Sequence, residues 1–370
     1  MHAAPDGYNA STMKATRNLR RPRVLIVGCG DVGMRCVPLL RPGAHIFALT
    51  SHAARCAELR AAGVTPLVGD LDDPRSLKRL AGLAPTVLHL APPQKTGDDD
   101  RRTRALLATL ATRERTPRAA RGAVAPVGRL RRIRASWAES ETANIVPDRT
   151  RWTAASRAPV RLVYASTTGV YGDCGGAWID ETRATQAANP RAKRRVSAER
   201  QLRRATSRRI VSASIARIPG IYAGNRLPLA RLEKRTPALI DADDVYTNHI
   251  HADDLAAILV RMTTHARPGR VIHASDDSAL KMGEYFDVVA DAYGLKHPPR
   301  ITRAEAEQQI EPTLLSFMRE SRRLVNRRLK DELRVNLRYP SVEDFLQNAT
   351  PPASPGILPG VPRRALRRRK

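Results

Sequence analysis

Gly28, Gly30 and Gly33 are the residues of this chain whose types and spacing imply a specific chemistry. They close the segment Val24-Leu25-Ile26-Val27-Gly28-Cys29-Gly30-Asp31-Val32-Gly33, in which an apolar, β-branched run leads straight into G-x-G-x-x-G. The chemistry is the holding of phosphate by main chain. Gly28 permits a tight turn, Gly30 has no side chain to keep a pyrophosphate off the backbone, and Gly33 lets the next helix pack close to the strand. The backbone at Asp31 and Val32 then opens that helix, offering unpaired N–H groups and a positive dipole end. The strand before the motif and the apolar helical stretch after it (Val32, Val37, Leu39, Leu40) favour a dinucleotide site over a merely structural turn.

Two other clusters invite chemistry and are set aside. Asp98-Asp99-Asp100 falls at a helix start, where carboxylates complement the dipole and face solvent, so no metal is expected. The cysteines Cys29, Cys36, Cys56 and Cys174 form no C-x-x-C and no metal-like pairing with His. They read as reduced, buried small residues of a cytoplasmic protein.

The elements that must position the glycines alternate between strand and helix. Ala44 to Thr50, Val64 to Val68 and Thr86 to Ala91 read as strands. Arg55 to Ala62, ended by Gly63, Pro74 to Leu83 and Arg101 to Ala111 read as helices. Short connections with strict β-α alternation predict a Rossmann-like α/β fold, a doubly wound parallel sheet. From about Thr112 to Pro159 the pattern fails, leaving an Arg-rich insertion over 112–158: a disordered loop, an excursion from the sheet edge or a locally altered reading frame. Order resumes with a strand over Val160 to Ser166, a helix over Arg195 to Arg204 and a strand over Val211 to Ile215. Helices are then expected over Asp253 to Met262, Gly283 to Tyr293 and Leu314 to Leu329, with a short strand over Arg270 to His273 and a last helix capped by Ser341. This assigns a lead-in to 1–21, an NAD(P)-binding domain with a small C-terminal substrate-binding portion to 22–348, and a disordered basic tail to 349–370.

Composition bounds the function. The chain has 370 residues, 42% of them hydrophobic and only 4% aromatic, so the core must be mainly Ala, Leu, Val and Ile. No run approaches the ~20 apolar residues that span a bilayer, and Met1 to Arg21 lacks the apolar stretch of a signal peptide. The net charge of +28 is uneven: residues 101–158 and 349–370 together carry +16 of it. Beyond the helix expected over 101–111, neither stretch has the hydrophobic periodicity of a folded element or the interleaved aromatics of a single-strand binding surface, and no nucleic-acid motif is present. Nonspecific attraction to polyanions at low salt is expected, sequence-specific recognition is not.

Five segments in order carry a resemblance. They are the glycine motif, Gly69-Asp70-Leu71, Ser166-Thr167-Thr168-Gly169-Val170-Tyr171-Gly172, Arg217-Ile218-Pro219-Gly220-Ile221-Tyr222 and Asn248-His249-Ile250-His251-Ala252-Asp253-Asp254. Together they resemble the extended short-chain dehydrogenases, and more narrowly atypical members of the NAD(P)-dependent epimerase/dehydratase group, over roughly 22–112 and 159–348. The resemblance implies pyrophosphate binding at Gly28, Gly30, Asp31, Val32 and Gly33, adenine contacts from Asp70 and Leu71, and further cofactor contacts from Leu90 and Ala91. It places Ile218, Pro219 and Gly220 beside the nicotinamide. It makes Thr167 the catalytic hydroxyl that orients and polarises a substrate oxygen. His251 and Asp253 match a structural stretch in which Asp253 is expected to cap a helix.

One departure limits the implied chemistry. The family's Tyr-x-x-x-Lys pair, which exchanges a proton with the substrate and binds ribose, falls here on Arg191 and Arg195. Arg195 is able to donate to ribose hydroxyls, but Arg191 cannot act as a general acid near neutral pH. Tyr164, Tyr171 and Tyr222 lie close by in the motif order, without an assigned proton-transfer role.

The end of the second strand, Leu49-Thr50-Ser51-His52-Ala53-Ala54-Arg55, holds no acid to bind a ribose 2′-hydroxyl. Thr50, Ser51 and Arg55 suit a 2′-phosphate instead, so NADP is expected over NAD. The expectation is an oxidoreductase or epimerase acting on a small polar or sugar-nucleotide-like molecule, as a monomer or homodimer with no specific nucleic-acid partner and no membrane. The alternative is a non-catalytic NADP(H)-binding sensor or regulatory protein.

Overall fold

In the strand β1 (Arg23–Val27) every residue after Arg23 is buried, and alternate side chains go to opposite faces. Val24 and Ile26 join one hydrophobic cluster, Leu25 and Val27 another. That is the pattern of a parallel strand covered on both sides, and it explains why β1 reads as a continuous apolar run. The computed structural model of the protein describes residues 21–112 and 158–348. The expected lead-in, Arg-rich insertion and tail lie outside the described residues, apart from their edges.

After β1 come α1 (Asp31–Leu40), β2 (His45–Thr50), α2 (Cys56–Ala61), β3 (Thr65–Val68), β4 (Thr86–His89) and α3 (Arg101–Ala111). Then follow β5 (Val160–Thr167), β6 (Trp178–Ile179), α4 (Pro190–Ser207), β7 (Val211–Ile218), β8 (Gly220–Tyr222), α5 (Leu229–Glu233) and β9 (Ala238–Leu239). The rest comprises β10 (His249–His251), α6 (Ala252–His265), β11 (Val271–His273), α7 (Met282–Tyr293), β12 (Arg300–Ile301), α8 (Arg303–Gln309), α9 (Pro312–Phe317), β13 (Arg323–Leu324), α10 (Arg327–Asp331) and α11 (Val342–Asn348). One seven-stranded sheet has the order β11-β7-β5-β4-β1-β2-β3, every pair parallel. β1 lies inside it, and chain order runs outward on both sides, as in a doubly wound sheet.

On one face Val37 and Leu40 of α1 and Leu255, Ile258 and Leu259 of α6 meet Val24 and Ile26. On the other, Leu106 of α3 and Leu202 of α4 meet Leu25, Val87 and Leu162. This core is aliphatic, as the composition requires. Tyr164 is the aromatic residue buried in the second cluster, while in the C-terminal portion Tyr222, Tyr285, Phe286 and Phe345 form a separate aromatic cluster.

The helix expected over 314–329 does not form. α9 ends at Phe317, and Arg323 and Leu324 form β13 against Trp178 and Ile179 of β6 before the short α10. The apolar spacing there serves two packing surfaces rather than one helix face. Other departures are boundary shifts. The helix expected over 195–204 begins earlier, with Pro190 at its first turn and Asn189 as its cap, and runs to Ser207. Pro74 to Leu80 is a 3-10 helix. Ser341 caps α11 as expected, its Oγ accepting from Asp344 N at 3.1 Å. All four cysteines are free, but only Cys29 and Cys36 are buried, so Cys56 and Cys174 correct the expectation of full burial.

Candidate functional site

The glycine turn joins β1 to α1. Gly28 has φ +88°, and a Cβ there would lie 2.5 Å from Ala91 N. The crowding arises because Leu90 N and Ala91 N both donate to Val27 O, at 2.8 and 2.9 Å, and draw the end of β4 against the turn. A Cβ on Gly33 would press at 3.3 Å on Cys29 Sγ and Gly28 O, the close helix–strand approach expected there. Gly30 differs. Its φ of −82° suits any residue, and a Cβ there would meet no protein atom within 4 Å. Gly30 caps α1 without a side-chain hydrogen bond, which leaves the first-turn N–H groups at Asp31 and Val32 facing that space.

Charges surround the turn. Arg55 donates from Nη1 to Cys29 O at 2.7 Å and from Nη2 and Nε to Glu58 at 2.9 and 3.1 Å. Asp31 pairs with Arg35 at 3.2 Å and with Arg226 at 3.1 Å. Arg35 also reaches Asp253 at 2.5 Å. Asp253 is therefore an ion-pair partner, and the cap of α6 is His251, whose Nδ1 accepts from Asp253 N at 3.2 Å. The expected Asp253 cap is corrected by two positions, because α6 begins at Ala252 and His251 takes the cap. Thr50 is buried and bonds locally to His52. Asp70 Oδ1 accepts from Asp72 N at 2.9 Å, holding the loop after β3, with Leu71 buried beside it.

Thr167 ends β5, and its Oγ1 accepts from Gly169 N at 3.3 Å, so it caps the short 3-10 helix Thr168–Tyr171. The next residue, Thr168, reaches a cavity of about 340 Å³, within the range of ligand sites. Pro219 and Gly220 form part of its wall, next to Ile218 at the end of β7. The cavity continues over Arg226, Arg231, Tyr246, His249, Tyr285 and Arg322. Burial pushes His249 down to about 3, so its ring is neutral, and pushes Arg231 down to about 10, still cationic at neutral pH.

Neither arginine at the Tyr-x-x-x-Lys positions points free. Arg195 donates from Nη1 to Tyr164 Oη at 3.0 Å and to Ala165 O at 2.6 Å. Arg191 stacks its guanidinium 4.3 Å from the centre of the Phe317 ring. The nearby tyrosines are engaged as well. Burial raises Tyr164 and Tyr171 to about 12. Tyr171 Oη takes a 2.7 Å hydrogen bond from Arg217 and contacts His273, while Tyr222 Oη donates to Ser341 O at 3.2 Å.

All these features lie at the carboxyl ends of β1, β2, β3, β4, β5 and β7, where a doubly wound sheet presents its ligand crevice. The cavity arginines and the 317–322 segment carry no local motif and escape sequence reading. A partial signal is Asn248, within the fifth segment: its Nδ2 donates to Arg322 O at 2.9 Å and its Oδ1 accepts from Leu324 N at 3.0 Å, fixing the segment against the cavity.

Sheet, glycine turn and crevice define a Rossmann-like protein with an added C-terminal portion. The model of the TrkA-N domain matches residues 24–124. A functionally unknown conserved protein from Silicibacter pomeroyi DSS superposes with a TM-score of 0.64 at 23% identity, over 88% of this chain and 97% of that one. UDP-glucose 4-epimerase from Thermotoga maritima, solved with UDP-glucose, gives 0.62 at 13% identity over 88% and 96%. dTDP-glucose 4,6-dehydratase from Bacillus anthracis str. Ames, in complex with NAD, gives 0.62 at 13% over 88% and 94%. No curated protein matches the chain by sequence. The chain thus has the fold of the NAD-dependent epimerases and dehydratases. Among the described residues no helix is long and apolar enough to cross a membrane.

Proposed function

We propose that the protein is an NAD(P)-dependent oxidoreductase or epimerase acting on an anionic, sugar-nucleotide-like substrate. The observation that carries this reading is the contrast among its glycines. Protein atoms forbid a Cβ at Gly28 and crowd one at Gly33, whereas the side-chain position of Gly30 opens on empty space beside the N-terminus of α1, as a ligand site would. A pyrophosphate fits that cradle. Asp70 and Leu71 would flank the adenine end, Leu90 and Ala91 the middle, and Ile218, Pro219 and Gly220 the nicotinamide end. A bound nicotinamide supplies hydride exchange at a carbon bearing oxygen. Thr167 would orient and polarise that oxygen. Three arginines beside aromatic rings suit a diphosphate joined to flat or cyclic groups, and UDP-glucose and NAD appear in the names of solved proteins of this fold.

NADP is preferred in this reading, on Thr50 and Arg55 and the lack of an acid after β2. The 2′-phosphate has to share Arg55 with Glu58. The free thiols suit a reducing compartment, and we place residues 22–348 in the cytoplasm as one NAD(P)-binding unit, monomeric or dimeric. Calorimetry with NAD and NADP, followed by 340 nm turnover with a panel of nucleotide sugars, tests the proposal. Absence of binding to either nucleotide overturns it.

The anchoring of Arg195 to Tyr164 and Ala165 favours a second reading, a non-catalytic NADP(H)-binding sensor. Tight NADPH binding without turnover across the panel would select it.

A further inference from the structure

Residues 317–322 cross the N-terminal end of α4, the place where the sequence puts arginine instead of the proton-exchanging tyrosine. Glu320 is at the centre of this crossing. Asn189, the cap of α4, accepts from Ala192 N at 2.9 Å through Oδ1 and donates from Nδ2 to Glu320 Oε1 at 3.2 Å. Arg322 Nη1 donates to Glu320 Oε2 at 3.0 Å and to Gly172 O at 2.7 Å. Arg191 lies on Phe317, three residues before Glu320. Among the described residues, Glu320 is the one carboxylate in the wall of the 340 Å³ cavity, with 14% of its side chain exposed. A Cβ on Gly169 would lie 3.9 Å from Glu320 Oε2 and 3.7 Å from Thr167 Oγ1, so the carboxylate and the hydroxyl flank the same glycine.

We infer that Glu320 is the proton-transfer group of the reaction proposed above, on which this assignment rests, and that it stands in for the tyrosine absent at position 191. With a nicotinamide dinucleotide as oxidant, the carbinol O–H bond of the substrate breaks and its proton forms an O–H bond on Glu320. The carbinol hydrogen leaves with its electron pair as hydride to the oxidant, and the C–O bond becomes a carbonyl. Thr167 holds the oxygen, Asn189 and Arg322 hold the carboxylate, and the reverse step returns the proton. Of the other groups facing the cavity, His249 is neutral with Nε2 bonded to Thr247, and Arg226, Arg231 and Arg322 are cations. Burial raises the tyrosines Tyr222 and Tyr285, and Tyr246 lies against Lys281 and Arg323.

The test uses the full-length protein and its Glu320→Gln and Glu320→Asp variants. Hydride transfer to NAD or NADP is followed at 340 nm with nucleotide sugars, alongside nicotinamide affinity by calorimetry and the thermal midpoint of the free protein. Glu320→Gln is expected to slow hydride transfer by about 100-fold or more and to abolish the acid limb of the pH–rate profile. Nicotinamide affinity should stay within about twofold and the thermal midpoint within a few degrees, with Glu320→Asp recovering part of the rate. A Glu320→Gln variant within about fivefold of wild type overturns the assignment, as does a loss matched by collapse of the midpoint, which marks a structural carboxylate. Wild-type protein that binds nicotinamide nucleotide but turns nothing over overturns the assignment alone. Failure to bind either nucleotide overturns the underlying reading with it.

Discussion

Ala91 stands so close to Gly28 that a Cβ on the glycine would lie 2.5 Å from its backbone nitrogen and 2.6 Å from its Cα. The closeness arises from a shared acceptor, since Val27 O binds both Leu90 N and Ala91 N. The turn after β1 is therefore shaped by the end of β4, and the floor of the crevice is set by two strands together.

Gly28→Ala and Gly30→Ala should separate folding from binding. At Gly28 the substitution meets both a φ of +88° and main-chain atoms, and a loss of about 2–4 kcal/mol is expected in urea unfolding. At Gly30 the added methyl enters empty space, so stability should change by less than about 0.5 kcal/mol while dinucleotide affinity falls about tenfold or more. Equal stability losses in the two variants would contradict this division.

The buried pair of Glu199 and Arg217 ties α4 to β7. Arg217 donates to both carboxylate oxygens at 3.1 and 2.7 Å, Ser166 Oγ donates at 2.7 Å, and the two side chains are only 3% and 2% exposed. Arg217→Met should cost about 3–5 kcal/mol by stranding the carboxylate, and Glu199→Met a similar amount. The double variant should be more stable than either single one. Additive losses in denaturant unfolding would show that the pair is not coupled.

Elements specified by local pattern are legible in the sequence. The run into Gly28 needs only β-branched residues and glycine spacing, and the cap at Ser341 needs only its own next turn. The features that escape depend on distant partners. Arg323 and Leu324 extend because Trp178 and Ile179 lie beside them, so the helical apolar spacing of 314–329 misleads. The expected Asp253 cap fails because the helix starts at Ala252, which puts Asp253 inside its first turn and makes its N–H a donor to His251. The motif order does not reveal that Arg195 also donates to Tyr164 Oη and Ala165 O on the sheet below it. Glu320 carries no sequence signal at all, since Asn189 and Arg322 alone give it meaning.

Asp276 should make stability fall as pH rises. Burial pushes its carboxyl from 3.8 up to about 7, although Oδ1 accepts from Ser278 N at 3.0 Å. A group whose folded pKa lies above its unfolded one stabilises fully below the unfolded value and loses that contribution as pH climbs through the folded one. The window here runs from about pH 4 to about pH 7. Relative to Asp276→Asn, which cannot ionise, wild type should lose about 3 kcal/mol between pH 5 and pH 8. Urea unfolding across that range measures it, and parallel stability curves for the two proteins would rule it out.

Arg231 is the cavity cation best placed to receive an anion. Arg226 is 3.1 Å from Asp31 and Arg322 is 3.0 Å from Glu320, whereas no carboxylate among the described residues lies within ion-pair distance of Arg231. Its Nη2 donates to Pro237 O at 2.9 Å, its guanidinium sits 4.3 Å from the Phe286 ring centre, and burial has already lowered its pKa to about 10. The charge is thus held at a desolvation cost that a bound phosphate would offset. Arg231→Met, which keeps the apolar contact with Phe286, should weaken UDP binding about tenfold or more while leaving nicotinamide affinity unchanged. Arg231→Lys should recover only part, because a point charge cannot form the paired hydrogen bonds of a guanidinium. Calorimetric titration of UDP into the three proteins decides, and a change below about threefold in Arg231→Met would remove Arg231 from the anion site.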